Sequence, residues 1–231
     1  LPMNSSLVGV LSLFGAATLY GSQNIATRIT GIDFGPFLST SLRFFVVILV
    51  LAWFVPWKRV RRADWKWFVL RGVGNMVATT CVFISVNKMS VGAALFSFYS
   101  AMILSSGLLG LLFYKERITW IKIGSLVLTA CGLYLIYSDQ SKLSFSWYFI
   151  VAVVGGVGAS LWSVFSRPIS NNYSLKQLVV IDGAIAGTIA GVISFILHEP
   201  WQAVRLDGRL GAIFYHGLTT AFTGQLVALG F

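Results

Sequence analysis

The sequence predicts an all-α membrane protein that crosses the lipid bilayer several times. Of its 231 residues, 57% are hydrophobic and only 10% are charged, whereas a soluble globular domain has about 25% charged residues. Apolar runs that approach the roughly 20 residues needed by a spanning helix recur along the whole chain. The net charge of +10 could suggest nucleic acid binding, but the basic residues lie in short breaks between apolar runs. We therefore expect a lipid bilayer around the protein and no nucleic acid partner.

Eight spans are predicted from the apolar runs that lie between charged, proline or glycine breaks. The fourth, Val91–Tyr114, is rich in serine and glycine yet contains no charge, and the eighth continues to the last residue, Phe231. In chain order the predicted spans are 7–27, 35–56, 68–87, 90–114, 118–137, 146–166, 177–198 and 210–231.

The distribution of lysine and arginine predicts that the N-terminus lies in the cytoplasm. With that orientation, the cytoplasmic side holds eleven basic residues, Arg71 among them, and the opposite side holds five. Cytoplasmic loops carry the excess of positive charge in membrane proteins. The segment Lys58–Lys66 supplies the largest share, and tryptophans beside it form the aromatic belt that is typical of a membrane interface. We expect a multi-pass protein of the plasma (inner) membrane.

An internal repeat is visible at an offset of about 142 residues. Ala17–Tyr20 in the first span matches Ala159–Trp162 in the sixth, and Gly74–Val86 in the third span aligns with Gly217–Leu229 in the eighth. Because five helices separate the two copies, the second copy enters the membrane upside down. Inverted repeats of this kind place a substrate site at their interface near mid-membrane. The repeat is the main argument from the residues for transport.

The repeat also predicts the organisation of the chain. Residues 1–139 form the first repeat with spans one to five, and residues 140–231 form a second, truncated inverted repeat with spans six to eight. The second copy stops where the first continues through two more helices. The expected fold is thus a pair of inverted five-helix bundles, with eight spans of an expected ten.

Arg43 and Asp182 are the charged residues that stand within predicted spans, away from their ends. A charge at mid-membrane costs about 2.5–3.5 kcal/mol on insertion scales, so each should face the bundle interior or a watery cavity. Arg43 is predicted to anchor a substrate carboxylate or another anion, and the alternative is hydrogen bonding to neighbouring helices. Asp182 could pair with Arg43, hold a proton or bind a substrate amine. It could also simply reach the interface, because it lies nearer the cytoplasmic end.

Further polar and aromatic side chains at membrane depth suggest a wet central cavity. Interhelical hydrogen bonds and plain packing are the alternative for each of them taken singly. A row of glycines at Gly183, Gly187 and Gly191 predicts close helix packing within the chain, with a homodimer contact as the alternative. The full set of predicted substrate-binding residues is Gln23, Asn24, Arg43, Asn75, Tyr99, Trp162, Asp182 and His216.

No catalytic or cofactor motif is visible in the sequence. Cys81 and Cys131 lie within apolar runs without a paired spacing, and His198 and His216 are far apart. We find no metal-ligand cluster, no phosphate-binding glycine loop and no nucleophilic triad at a credible spacing. We therefore predict no enzyme activity and no cofactor.

Several motifs together resemble the EamA-like branch of the drug/metabolite transporter superfamily. They comprise an apolar helix that ends in a turn with a Glu-Arg pair, a following helix with spaced glycines, and short matches in the first two spans. The segments are Leu19–Ser22, Leu42–Phe44, Ser97–Ala101, Tyr114–Thr119, Gly124 and Ala130–Gly132. The resemblance implies that residues 1–139 are an EamA-like unit. It also implies a ten-helix transporter, often an exporter of amino acids or related metabolites.

The sequence departs from the family pattern at three places. Lys115 stands where the family usually has glycine, Tyr20 replaces a frequent tryptophan, and a proline often found near Ala101 is missing. A non-transporting membrane scaffold or assembly protein is the alternative function. The two readings differ in whether Arg43, Asp182 and the buried amides converge on one water-filled space.

Overall fold

The computed structural model describes residues 5–115, 120, 123–124, 127–128, 131–132, 147–200 and 208–230. In these residues the chain forms α-helices, two short 3-10 helices at Ala52–Phe54 and Arg62–Asp64, turns, and no β-strand. Apart from the short described pieces between residues 120 and 132, the α-helices are α1 Ser5–Thr30, α2 Pro36–Leu51, α3 Trp65–Lys88, α4 Val91–Tyr114, α5 Trp147–Val164, α6 Arg167–Ser170, α7 Leu175–Ile196 and α8 Gly208–Gly230.

Seven long helices lie on the predicted spans one to four and six to eight. The fifth predicted span, 118–137, falls mostly outside the described residues. Of the described helical segments, five are long and apolar enough to cross a membrane, namely 36–54, 62–88, 91–114, 147–170 and 175–196. The all-helical, multi-pass architecture is confirmed, and the count of eight spans out of ten stays a prediction.

Helix ends are fixed by local chemistry that the sequence supplies. Ser90 and Ser174 precede α4 and α7, and their hydroxyl oxygens accept hydrogen bonds from the N–H groups of Ala93 and Gln177. The helix α4 ends at Lys115, whose φ of 50° lies in the left-handed region. Glycine is preferred at that position of a helix end because it has no Cβ. Lys115 therefore holds a strained backbone.

The helices of the first part of the chain pack mainly against those of the second. The helix α3 contacts α5 and α7, α1 contacts α8, and α2 contacts α7 and α8. Gly74 and Gly158 bring α3 and α5 together, since a Cβ on either residue would lie within 3.0 Å of the other's carbonyl oxygen. The glycine row of α7 packs against Ser41 and Phe44 of α2 in the same chain.

One end of the bundle is closed by contacts between the segments 55–64 and 171–177. The Gln177 side chain accepts from the Lys58 N–H and donates to the Lys58 carbonyl, at 3.2 and 2.6 Å. The Tyr173 hydroxyl accepts from the Arg61 N–H and donates to Asp64. Burial raises the pKa of Tyr173, so its hydroxyl keeps the proton that it donates.

The opposite end is closed by Glu199. Its two carboxylate oxygens accept hydrogen bonds from the N–H groups of Phe37 and Leu38, at 3.2 and 2.6 Å. These N–H groups belong to the first turn of α2, where a helix has free donors and a positive dipole end. The bundle is therefore tied at both ends, and its middle holds the cavity described next.

Candidate functional site

A cavity of about 340 Å³ lies in the centre of the bundle. Its volume is in the range of roughly 300–1,000 Å³ that is common for small-molecule sites. Seven helices contribute to its lining, namely α1 to α5, α7 and α8. All eight residues singled out from the sequence line it: Gln23, Asn24, Arg43, Asn75, Tyr99, Trp162, Asp182 and His216. The structure thus brings the whole set together, and their role in binding a solute stays a prediction.

Arg43 is the accessible positive charge of the cavity. It lies in the middle of α2, is half-buried, and places its guanidinium over the ring of Phe44 at 5.5 Å. Its Nε atom is buried without a hydrogen-bond partner, and within the described part of the chain no carboxylate forms an ion pair with it. Tyr20 and His216 lie near enough to interact with its charge. A guanidinium that lacks a carboxylate partner can bind an anion through two parallel hydrogen bonds.

Asp182, in contrast to Arg43, is a buried carboxylate that has hydrogen-bond partners within the protein. It is 1% exposed, and its Oδ2 atom accepts from Arg71 Nη2 at 2.6 Å and from Trp162 Nε1 at 3.0 Å. Asp182 therefore pairs with Arg71 and not with Arg43, and its side chain is buried among the helices. The reason is packing: α3 lies against α5 and α7, and this places Arg71 beside Asp182.

The position of Arg71 differs from the one predicted for it among the basic residues of the cytoplasmic side. It was counted with the cytoplasmic loops, yet it is buried at 2% exposure within α3. Removing it from the count leaves ten basic residues against five, so the predicted orientation does not depend on it. The sequence does indicate that Arg71 faces the bundle. Arg71 is four residues before Asn75, so the two residues lie on the same face of α3.

Amide and hydroxyl groups supply the remaining polar lining. Gln23 is buried and its Nε2 donor has no partner, whereas the Asn24 amide donates to the carbonyl of Tyr20 at 3.0 Å. Thr40 and Thr80 bridge α2 and α3 through their hydroxyls at 3.2 Å. The sequence reading missed Tyr20 and several hydroxyl residues of the cavity, which are Thr27, Ser39, Thr40, Thr79 and Thr220.

Helical spacing could have identified part of this lining. Tyr20, Gln23, Asn24 and Thr27 recur at intervals of three and four, which places them on one face of α1. The rest of the wall is apolar and aromatic, with Phe44, Val82, Phe83, Leu95, Phe98, Met102, Ala159 and Val179. The cavity therefore combines one accessible cation, several uncharged polar groups and an apolar wall.

The described His, Cys, Asp and Glu side chains form no group of three or more that could hold a metal ion. Both cysteines, Cys81 and Cys131, are free thiols, and neither lines the central cavity.

The long apolar helices are those of a multi-pass membrane protein, and they surround a central cavity. The sequence model of the EamA-like transporter family matches residues 7–138, which is more than half of the chain. The chain belongs to the EamA-like transporter family. It is therefore an integral membrane protein of the drug/metabolite transporter type, and the family is one of transporters, not of enzymes.

A solved crystal structure of a protein shares this fold with a TM-score of 0.64. The two sequences are 17% identical, and the likeness covers 97% of this chain and 78% of the other. At that identity the likeness shows the fold alone. No curated protein matches the sequence.

Proposed function

We propose that the protein is a secondary transporter that moves a small organic solute through the central cavity. The observation that carries the proposal is the convergence of polar side chains from seven helices on one cavity of about 340 Å³. A scaffold has no use for such a space, because dense packing is what stabilises a helix bundle. A half-buried cation without a carboxylate partner is expected in a binding site and costly in a scaffold.

The buried donors point in the same direction. Arg43 Nε and Gln23 Nε2 have no hydrogen-bond partner, and an unsatisfied buried donor costs about 1–3 kcal/mol. Packing alone does not offset that cost. A solute with acceptor oxygens that reaches this part of the cavity would offset it on binding.

Alternating access is proposed from the pairing of the helices. With the repeat offset near 142, α1 corresponds to α5, α2 to α7 and α3 to α8. A two-fold axis in the membrane plane would exchange the corresponding helices. The contact of α1 with α8 would then be repeated as a contact of α5 with α3, and the contact of α2 with α8 as a contact of α7 with α3. The contact of α2 with α7 would be repeated as itself. All five pairs are present. This pairing supports two inverted units, residues 1–139 and 140–231, that rock around a central site.

Location and direction are proposed on other grounds. The excess of basic residues in alternate loops favours a cytoplasmic N-terminus. The family resemblance favours export of amino acids or related metabolites across the plasma (inner) membrane. Because the glycine row of α7 packs against α2 within the chain, a homodimer would need another surface.

The test is uptake by proteoliposomes that contain the purified chain. A panel of radiolabelled amino acids and carboxylate metabolites would be offered to the wild type, to Arg43→Gln and to the control Arg59→Gln. Arg59 is an exposed residue of the segment between α2 and α3. We expect at least one solute to enter, with about a tenfold or greater loss for Arg43→Gln, since a hydrogen bond to a charged group contributes about 1.5–3 kcal/mol. A folded protein that moves no solute of the panel would favour the scaffold.

A further inference from the structure

We infer that the solute is an organic monoanion with an apolar body, and that zwitterionic amino acids, which the family resemblance alone would favour, are poor ligands. This inference rests on the proposed function, because it names the class of solute that the same cavity would take. Its argument is the balance of charge inside the cavity and the part of that charge that a solute can reach.

Two charged side chains line the cavity within the described residues, Arg43 and Asp182. The charge of Asp182 is cancelled by Arg71, whose Nη2 atom is 2.6 Å from Oδ2. His216 also lines the cavity, and it is either neutral or positive, so it adds no negative charge. The net charge offered to a solute is therefore positive and comes from Arg43.

The two charged side chains of the cavity also differ in how far a solute can reach them. Arg43 is half-buried and faces the cavity, whereas Asp182 is 1% exposed. The free oxygen of Asp182, Oδ1, has no hydrogen-bond partner and practically no accessible surface. A substrate ammonium group would therefore have to displace Arg71 or Trp162 to reach a carboxylate. Without that contact it would lose its hydration with no compensating charge.

A carboxylate group of a solute, unlike an ammonium group, finds an oppositely charged partner in the cavity. Arg43 can bind a carboxylate bidentately, and the amides of Gln23 and Asn75 line the same cavity as further donors. One accessible cation balances one negative charge. A dicarboxylate or a phosphate ester would bring a second negative charge, and the described lining residues hold no second permanent cation without a carboxylate partner.

The rest of the solute is defined by the apolar wall and the volume. Phe44, Phe83, Phe98, Met102 and Trp162 surround the polar groups. A cavity of about 340 Å³ has the volume of about eleven molecules of liquid water at ~30 Å³ each. It suits a compact molecule with a hydrocarbon or aromatic body and one anionic end.

Three probes with the same carbon skeleton separate the charge types: 3-phenylpropanoate, phenylalanine and 3-phenylpropylamine. Their affinities would be measured for the full chain in nanodiscs of neutral lipid. We expect 3-phenylpropanoate to bind at least about tenfold more tightly than phenylalanine, with the amine weakest. Arg43→Gln should weaken the anion about ten- to hundredfold, since a hydrogen bond to a charged group contributes about 1.5–3 kcal/mol. Arg59→Gln is the matched control and should leave the three affinities in the same order.

A nearly isosteric variant, Asn75→Asp, tests the charge balance directly. It adds a half-buried carboxylate to the same cavity and balances the charge of Arg43. We expect 3-phenylpropanoate to lose at least about tenfold in affinity and phenylalanine to lose little or to gain.

The outcomes separate this inference from the proposed function. Phenylalanine that binds as tightly as 3-phenylpropanoate in the wild type would overturn the monoanion inference and leave transport intact. The inference also fails if none of the three probes binds while another solute of the uptake panel is transported. If no probe binds and no solute moves, the proposed function fails with it.

Discussion

The buried pair of Arg71 and Asp182 predicts a large difference between single and double substitutions. At 2.6 Å and an effective dielectric constant of about 20, the Coulomb attraction of the pair is roughly 6 kcal/mol. Desolvation of the two ions offsets most of this attraction, so the pair as a whole contributes little to stability. Removing one partner leaves the other charge buried and unpaired, which costs about 3–5 kcal/mol. We therefore expect Arg71→Met to be strongly destabilising.

The double variant Arg71→Met/Asp182→Leu removes both charges and should recover most of the loss, to within about 1 kcal/mol of the wild type. Thermal unfolding in detergent measures both effects. A loss of 3–5 kcal/mol corresponds to a fall in Tm of about 6–20 °C for a chain of this size. The interaction energy follows from the double-mutant cycle with Asp182→Leu. If the losses of the two single variants simply add up in the double variant, the two residues are not coupled and the buried pair is refuted.

Four further substitutions test the helix contacts by the same measurement of Tm. Gly158→Ala should lower the stability by about 1–3 kcal/mol, because its Cβ would lie 2.9 Å from a backbone oxygen of α3. A Cβ on Gly107 would meet open space, so Gly107→Ala is the matched control and should be neutral or stabilising by up to about 1 kcal/mol. An equal loss of stability in both variants would contradict the close approach of α3 and α5. Lys115→Gly should raise the stability by about 1 kcal/mol by relieving a left-handed backbone, and a lower Tm would show that the lysine side chain matters more than the strain. Glu199→Gln should cost about 0.5–2 kcal/mol through weaker capping of α2, and an unchanged Tm would count against that cap.

The helical class and most helix positions could be predicted because they depend on local properties of the chain. Long apolar runs with few charges fix where helices lie. The second predicted span, 35–56, agrees with the helical segment 36–54, in which α2 ends at Leu51 and a 3-10 helix continues to Phe54. Pro56 explains why the helix ends before it, because a residue before proline is disfavoured in the helical conformation.

Part of the cavity lining could be predicted because polar groups in spans must avoid lipid. Arg43, Gln23 and Asn75 share no motif, and their depth in the membrane is what singles them out. The partner of Asp182 could not be predicted in this way. It depends on which helices are neighbours, and hydropathy carries no information about the contact of α3 with α7.

Counterflow in proteoliposomes tests the central claim most directly. Vesicles with the full chain would be loaded with an unlabelled solute that the protein takes up, and a trace of the labelled solute would be added outside. A carrier that alternates its access accumulates the label transiently above its equilibrium level. We predict this accumulation for the wild type and the control Arg59→Gln, and its loss for Arg43→Gln. Equal slow entry of label into all three kinds of vesicle and into protein-free vesicles would contradict transport through the central cavity.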